Sequence, residues 1–338
     1  MNRGKTRNLY FMLITICSGN IIMCAAQNTS ESVISLRGHT DDIISLACDV
    51  KRNRVMTGSL DKTGRIWDAH TGKLLHTLND DAPIYALAFN FDGTLACTGS
   101  YVFEIRVWDT QTGQLKHTIT DPDDRDQKHA ITALVCSPEE NILVAGSWDA
   151  KIHMWNPETG QLLRTLSGAH SDGMTSLAYS PDNKYIVAGS ADGTASIWDA
   201  KAGELLRTLQ GAGDWLNKTI ISSDSASIAT STYKTVFIWD LQTGAIVHEL
   251  KHADRISSIA YTPDNKYILC RSENMIYVWD ASGGSFAMFY RTEGSHERQV
   301  DFSSDGNFEY TICSDSCHRY DVHKFPIKLS PENSKDDY

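Results

Sequence analysis

Short apolar stretches recur along the chain, each followed by residues that favour turns. Residues 175–179 precede a Pro-Asp-Asn turn, residues 185–189 precede an Ala-Asp-Gly turn, and residues 194–198 end before a turn at Ala202-Gly203. Stretches this short, bounded by Gly, Pro, Asp and Asn, predict β-strands and not helices. The chain is therefore predicted to be all-β.

A Trp-Asp dipeptide ends the third stretch of each repeat. It occurs as Trp67-Asp68, Trp108-Asp109, Trp198-Asp199, Trp239-Asp240 and Trp279-Asp280, with Trp155-Asn156 and Tyr320-Asp321 as near matches. The intervals are 41, 47, 43, 41, 40 and 41 residues, a period typical of a four-stranded unit of about 40–45 residues. Seven such units fill residues 32–321.

On these repeats the chain resembles the WD-repeat family. The resemblance implies a seven-bladed β-propeller in which each repeat forms one four-stranded blade. It also implies how the ring closes, because residues 33–36 copy the outer strand of a blade while the last repeat stops after Asp321. We expect residues 33–36 to complete the last blade, which leaves no open sheet edge.

The first 26 residues differ from the repeats. Arg3, Lys5 and Arg7 precede an apolar run at residues 9–16, and Cys24-Ala25-Ala26 offers small residues before Gln27. This order is typical of a cleaved signal peptide; a membrane anchor over residues 9–26 and a transit peptide are the alternatives. We expect a leader at 1–26, the propeller at 27–321 and a polar, acidic tail at 322–338, with the folded body exported to a periplasmic or extracellular space.

Composition and charge narrow the choice of partner. The 338 residues are 41% hydrophobic and 22% charged, as in ordinary soluble proteins. The net charge of −11 repels a phosphate backbone, so nucleic acid is not the expected partner. We expect a monomeric propeller that binds a protein or peptide and touches a membrane only if the leader is retained.

The resemblance also implies a buried hydrogen-bond network of four side chains within a blade. The first repeat has all four, as His39, Thr57, Asp61 and Trp67, whereas the fourth has Ala188 where the hydroxyl belongs and the second has Val102 in place of the aspartate. We expect most blades other than the first to be held by packing alone. A His, an Asp and a Thr also fit a nucleophilic triad, but a hydroxyl buried in a blade has no approach for a substrate.

Neither the cysteines nor the motifs indicate a cofactor or a metal. No Cys-x-x-Cys pair, P-loop, zinc-protease or dinucleotide motif is present, so we expect no cofactor, no metal and no catalysis. Cys313 and Cys317 flank a short turn, and an exported body would allow them to form a disulfide. Cys48 and Cys136 occupy matching positions in different blades and should remain thiols.

The expected binding face carries Trp148 and Trp215, the two tryptophans outside the strand-end position. By resemblance both lie in loops on one face of the propeller, where partners commonly bind, and Trp is a favoured anchor at interfaces. One residue per blade is expected at the mouth of the central channel on this face: Ile44, Tyr85, Thr132, Thr175, Asn217, Ser257 and Arg298. Arg298 either holds a carboxylate of the partner or pairs with an acid of this chain.

The sequence thus predicts an exported, non-enzymatic scaffold that binds a protein or peptide at this channel mouth. One alternative is an exported propeller enzyme or small-ligand binder with its site at the channel mouth. A second alternative is an intracellular WD-repeat scaffold with a disordered leader.

Overall fold

Antiparallel strands joined by short turns make up almost all of the residues that the structure describes. The computed structural model describes residues 12–15, 19–24, 33–102, 104–120, 129–262, 264–272, 275–291, 297–302, 308–314 and 320–325. In these ranges the one helical element is a 3-10 turn at Val50–Arg52. The predicted all-β class is confirmed.

Six four-stranded antiparallel sheets follow one another in chain order within the described residues, and we number them one to six. Sheets one to three consist of β4–β7 (Ile43–Asp49, Arg54–Ser59, Thr63–Asp68, Leu74–Asn79), β8–β11 (Ile84–Phe89, Leu95–Ser100, Glu104–Asp109, Leu115–Thr120) and β12–β15 (Ile131–Cys136, Leu143–Ser147, Ile152–Asn156, Gln161–Leu166). Sheets four to six consist of β16–β19 (Met174–Tyr179, Tyr185–Ser190, Ala195–Asp199, Leu205–Leu209), β20–β23 (Lys218–Ile221, Ser227–Ser231, Thr235–Asp240, Ile246–Lys251) and β24–β27 (Ile256–Tyr261, Tyr267–Ser272, Met275–Asp280, Phe286–Arg291).

The turn between the third and fourth strands of all six sheets, and the turn between the first and second strands of five of them, use a residue in the left-handed backbone region. This conformation reverses the chain tightly. Between the first and second strands this residue is Asn53, Gly93, Asn183, Ser225 or Asn265, with φ between 54° and 62°. Between the third and fourth strands it is always a glycine, with φ between 61° and 74°: Gly72, Gly113, Gly160, Gly203, Gly244 and Gly284. These turns fix the strand lengths that the apolar pattern predicts.

The first strands of successive sheets lie side by side, from β4 next to β8 through to β24 next to β28. Small residues allow this close approach. A Cβ added to Gly58 would lie 2.7 Å from Ile84 Cγ2, and one added to Gly99 would lie 2.5 Å from Ile131 Cγ2. A side chain at either glycine would push two neighbouring sheets apart.

The tryptophans of the dipeptides pack between neighbouring sheets, as the repeat predicts. Trp108 lies in one buried cluster with Met56 and Ile66 of sheet one. Trp155, Trp198 and Trp239 each pack in the same way against the sheet before their own. Each is at most 5% exposed, so these interfaces form the core.

The termini meet in a further sheet, which we call the terminal sheet. Its strands, in spatial order, are β28 (Glu297–Phe302), β29 (Phe308–Ser314), β1 (Met12–Thr15), β30 (Tyr320–Phe325), β2 (Gly19–Cys24) and β3 (Val33–Arg37), and β29 also pairs directly with β30. The strand expected to close the last blade is therefore present in the sheet of the C-terminal strands.

The strand that pairs with β3 differs from the expected one. β3 pairs with β2, and β2 contacts β30 in parallel at Gly19↔Tyr320. The stretch around Ile21 and Ile22 is apolar and β-branched, so it competes for the same open edge. The predicted direct pairing of residues 33–36 with the last blade is not confirmed.

Candidate functional site

Five exposed aromatic residues share one end of the sheets, which we call the loop face. It consists of the turns between second and third strands and the connections into each first strand, which lie at the same end because the strands are antiparallel. The five residues, here called the aromatic rim, are Tyr85, Tyr101, Trp148, Trp215 and Tyr233, each 38–62% exposed. Phe91, in the turn between β8 and β9, lies at the opposite end.

Trp148 and Trp215 touch each other on this face. Their ring centroids are 5.7 Å apart with an interplanar angle of 90°, an edge-to-face geometry favourable for aromatic pairs. They are 40% and 48% exposed. The two side chains that the sequence assigns to separate loops thus form one apolar platform.

Local structure fixes the platform from below. A Cβ at Gly173 would lie 2.1 Å from Trp148 Cε3, so only glycine allows the ring to rest on this backbone. The Trp215 N–H donates to Asp214 Oδ1 at 2.8 Å. The next residue, Leu216, is buried and its N–H donates to Ser190 O at 3.2 Å, which anchors the loop to sheet four.

Tyr85, the one aromatic among the predicted channel-mouth residues, also has an aromatic partner. Its ring lies 5.9 Å from that of Tyr101, with an interplanar angle of 44°. Tyr101 was not among the residues predicted from the sequence. It follows β9 in a turn that carries no repeat signature, so only the three-dimensional proximity identifies it.

The predicted channel-mouth residues share a backbone feature. Each first strand except β20 has a register shift that skips one residue, as at Ile43/Ser45, so the skipped residue has no partner on the second strand. The skipped residues are Ile44, Tyr85, Thr132, Thr175, Ser257 and Arg298. Asn217, the seventh, directly precedes β20, and its N–H donates to Ser231 O at 2.7 Å. Bulges re-aim side chains away from the ladder. A backbone irregularity therefore sets these six positions apart from the rest of their strands.

Two hydroxyl groups among the predicted channel-mouth residues donate hydrogen bonds to backbone carbonyls of the sheets. Thr132 Oγ1 donates to Met174 O at 2.7 Å, which links sheets three and four. Ser257 Oγ donates to Arg271 O at 3.4 Å. Ile44, Thr175 and Asn217 are half-buried. The side chain of Arg298 lies outside the described residues, so its role as a carboxylate ligand stays a prediction.

In sheet one, the four residues of the predicted network are joined by hydrogen bonds. His39 Nδ1 lies 2.8 Å from Asp61 Oδ2 and His39 Nε2 lies 2.8 Å from Thr57 Oγ1. The Trp67 indole N–H donates to the same hydroxyl at 3.0 Å. If His39 is neutral and carries its proton on Nδ1, it donates to Asp61 and accepts from the Thr57 hydroxyl at Nε2. The Thr57 oxygen in turn accepts from Trp67, so each hydrogen bond of the network has one donor and one acceptor.

The electrostatics agree with a neutral ring. Burial lowers the pKa of His39 despite its aspartate partner. Burial acts to raise the pKa of Asp61, but hydrogen bonds from His39, Thr63 and Thr40 outweigh it and hold that pKa well below its usual range. The group braces the turn, and His39 and Thr57 are too buried for substrate to approach.

Sheet four forms a similar network from a different residue. His170 Nε2 lies 2.7 Å from Ser196 Oγ, and the Trp198 indole N–H donates to that oxygen at 2.8 Å. Ser196 lies on β18 directly opposite Ala188 of β17. The expectation that sheet four lacks the hydroxyl is wrong, because the neighbouring strand supplies it.

In sheet two, an aspartate paired with an arginine takes the place of the histidine. Asp80 takes the loop position, its Oδ2 accepts from Thr98 Oγ1 at 3.2 Å, and Trp108 donates to the same hydroxyl at 3.1 Å. Arg106 pairs with Asp80 at 3.2 Å and also with Asp81. The expectation of packing alone therefore also fails for sheet two. The sequence pattern does not identify Asp80, because the family pattern has His at that position.

Sheets three and six depart further from the network. In sheet three, His153 from the third strand pairs with Asp149 at 3.1 Å. In sheet six, the buried His252 ring packs edge-on against Trp279, with centroids 5.4 Å apart. Neither His252 ring nitrogen has a hydrogen-bond partner among the described residues, and burial lowers the pKa of His252 to about 4.

The aspartate of the Trp-Asp dipeptide caps the turn that follows it. Asp68 Oδ1 accepts from the backbone N–H groups of His70 and Thr71, at 3.0 and 2.7 Å. Asn156 makes the same pair of contacts in sheet three, because an amide oxygen accepts as well as a carboxylate oxygen. The near match Trp155-Asn156 is thus structurally equivalent.

Two acidic side chains lie in loops next to the tryptophans. Asp172 and Asp214 are exposed, and each accepts one backbone N–H of its own loop, from Gly173 and Trp215. Neither forms an ion pair with another described residue. The nearby Lys151 is itself paired with Asp149, at 3.6 Å.

Four described cysteines are thiols that are not joined in disulfides: Cys48, Cys97, Cys136 and Cys270. Cys97 of sheet two contacts Cys136 of sheet three, and this contact, together with burial, raises the pKa of the Cys136 thiol. The predicted Cys313–Cys317 disulfide lies outside the described residues, because Cys317 is not among them.

The described ranges contain neither a metal-binding cluster nor a membrane-spanning helix. No group of three His, Cys, Asp or Glu side chains there is arranged to hold a metal ion. No described helix has both the length and the apolar character needed to cross a bilayer.

Comparison with known proteins agrees with the repeat pattern. The family model "WD domain, G-beta repeat" matches residues 30–68, 72–109, 114–156, 160–199 and 244–280, more than half of the chain. An 84-residue stretch is 29% identical to eukaryotic translation initiation factor 3 subunit I of Homo sapiens and of Pongo abelii, and 26% identical to that of Xenopus laevis. The match spans about a quarter of this chain and about a quarter of each relative. Through its five matched repeats, the chain belongs to the WD-repeat family.

Proposed function

We propose that this protein is an intracellular, non-enzymatic scaffold that binds another protein through the aromatic rim of its loop face. Two comparisons support this: membership of the WD-repeat family, and partial similarity to proteins described as subunits of a translation initiation factor. By analogy, this chain is a subunit of a protein assembly.

The edge-to-face pair of Trp148 and Trp215 is the observation that carries the proposal. Two neighbouring indoles at 40% and 48% exposure form an apolar patch of the kind that partners cover. Tyr85 and Tyr101 extend the same face. We place Arg298 and the other channel-mouth residues at the centre of this interface.

We further propose that the six sheets and the terminal sheet form a closed seven-bladed propeller. The side-by-side first strands from β4 to β28 support a radial arrangement, and β3 in the terminal sheet supports closure between the chain ends. A closed ring has no free sheet edge and holds the loop face rigid.

Export, expected from the leader, finds no support in the comparisons. Relatives that are translation initiation factor subunits favour the intracellular alternative. Fractionation of the native host followed by N-terminal sequencing decides between them: a cytosolic protein that retains Met1 supports the proposal, and one that begins at Gln27 contradicts it.

The alternative of an enzyme or small-ligand binder has less support. The His, Asp and Thr of sheet one are already hydrogen-bonded to one another in a buried network. Proteins of this family are typically scaffolds without catalysis.

Binding measurements with rim variants test the proposed function. Partners captured by the wild-type chain are identified, and Trp148→Ala with Trp215→Ala should weaken their binding at least tenfold, the scale of interface anchors. The melting temperature should stay within a few degrees of wild type, because neither ring packs between sheets. Phe91→Ala, an exposed aromatic at the opposite end, is the matched control. Unchanged binding by the double variant would refute the proposed face.

A further inference from the structure

Asp172 lies in the connection before β16, which contacts Trp148, and Asp214 lies in the connection before β20, which carries Trp215. Asp214 directly precedes Trp215, and Asp172 directly precedes the glycine on which Trp148 rests. The backbone of Asp214 also lies against Gly193, in the turn of sheet four, at 3.2 Å from the Cβ position. Two indole surfaces and two negative charges therefore share one small region.

Four bases near this end of the sheets already have interacting partners. Lys234 donates to the Ala253 carbonyl, and Arg255 lies over the Tyr233 ring at 5.9 Å. Lys151 is paired with Asp149, and Lys218, which begins β20, also has an interacting partner. Among the described residues, no base forms an ion pair with Asp172 or Asp214.

On these contacts we propose that the platform of Trp148 and Trp215, with Asp172 and Asp214, binds an arginine or lysine side chain in an extended basic segment of the partner protein. This inference rests on the proposed function and specifies the chemistry of the partner. A cation over the face of Trp is the strongest of the cation–π pairs, and the carboxylates accept charge-assisted hydrogen bonds from the same group. The net charge of −11 steers a basic segment toward the chain.

The chemistry of the site also favours arginine over lysine. A planar guanidinium stacks on an indole while its edge N–H groups reach carboxylates, whereas an ammonium is a compact and strongly hydrated point charge. A basic segment that carries arginine should therefore bind more tightly than one that carries lysine.

Peptide binding to the full chain tests the proposal directly. The probe is a fluorescein-labelled ten-residue peptide of alternating arginine and glycine, compared with the same peptide containing citrulline, which is isosteric but neutral. We expect the arginine peptide to bind at least tenfold more tightly than the citrulline peptide, and its affinity to fall as salt rises from 0.05 to 0.5 M. Equal binding of both peptides would overturn the proposal.

Variants assign the binding to this site. Asp172→Asn with Asp214→Asn keeps the oxygens that accept the loop N–H groups and should weaken the arginine peptide at least fivefold. Trp148→Ala with Trp215→Ala should weaken it at least tenfold. Glu139→Gln with Glu140→Gln removes two exposed charges at the opposite end of the sheets and should leave binding unchanged. An equal loss in that control would mean attraction to the whole chain and would overturn the site.

The captured partners separate this inference from the proposed function. If a partner is lost with the tryptophan variant but retained by the Asn variant at low and high salt, the basic segment is refuted while the binding face stands. If neither variant affects any captured partner, the proposed function fails as well.

Discussion

Ala188 and Ser196 face each other across β17 and β18, and together they replace what Thr57 does alone in sheet one. Ser196 supplies the hydroxyl that His170 and Trp198 share, and Ala188 leaves room for it. In sheet one the hydroxyl is on the second strand, and Arg65 lies opposite it on the third. The brace depends on where one oxygen atom lies in space, so either of two strands can carry it.

Removal of the hydroxyl in sheet four should destabilise the protein, and its transfer across the strand pair should restore stability. Ser196→Ala leaves a buried indole N–H and an imidazole nitrogen without partners, at a cost of about 1–3 kcal/mol. Adding Ala188→Ser to that variant returns an oxygen to the position that Thr57 occupies in sheet one. Urea unfolding of the three proteins measures the effect; a double variant no more stable than Ser196→Ala would disprove the equivalence of the two positions.

Thr57→Val tests the network of sheet one in the same way. The substitution keeps the shape of the side chain but deprives His39 and Trp67 of their shared oxygen, so the free energy of unfolding should fall by about 1–3 kcal/mol. Thr77→Val on β7 is the control, because Thr77 is exposed. Equal losses for both variants would show that the network adds no stability.

Burial of His252 predicts a pH dependence of stability. The folded pKa of His252 is about 4 and its ordinary value is about 6.5, so between these pH values the unfolded chain binds a proton that the folded chain does not. Stability contributed by the neutral ring is complete above pH 6.5 and falls with decreasing pH, by about 2–3 kcal/mol down to pH 4.

The variant His252→Phe isolates this contribution, because it keeps the packing against Trp279 and cannot bind a proton. Its stability should fall less than that of wild type between pH 7 and pH 4.5. His70→Gln, at an exposed position, should follow wild type. Parallel curves for wild type and His252→Phe would rule out His252 as the source.

Truncations examine the proposed closure of the ring. Deleting residues 1–37 removes β3 and should lower the melting temperature strongly, because the terminal sheet loses the strand that closes it. Deleting residues 1–26 removes β1 and β2 only, and β3 can then pair with β30 as the repeat predicts, so the melting temperature should stay near that of the full chain. Deleting residues 326–338 should have little effect. Equal melting temperatures for the first two truncations would contradict closure by β3.

Trp198→Ala distinguishes core from rim. Trp198 is 4% exposed between sheets three and four, so its loss should cost about 3–5 kcal/mol and weaken binding only through unfolding. The rim variants should show the opposite pattern. Unfolding curves and partner binding measured on the same samples compare them; a stable Trp198→Ala protein would refute packing between sheets.

The strands, the turns and the family are predictable from the amino-acid sequence, because they depend on local properties that repeat. Asp68 and Asn156 cap the same turn with atoms close to them in the chain, and glycine is present wherever that turn needs positive φ. The period between the tryptophans follows from the same local units. A pattern that recurs about every 41 residues is readable without coordinates.

Which side chains come into contact depends on how the sheets pack against one another. Trp148 and Trp215 are 67 positions apart in the chain, and their contact follows from the stacking of sheets three, four and five. Ser196 enters its network from a position that the repeat pattern does not mark, and Asp80 enters from a marked position where the pattern has His. A hydrogen bond requires an atom at the right place and not a particular residue at a particular number. The bulges at Ile44 and Thr175 likewise arise when the strands pair, a relation between strands that no single stretch of sequence contains.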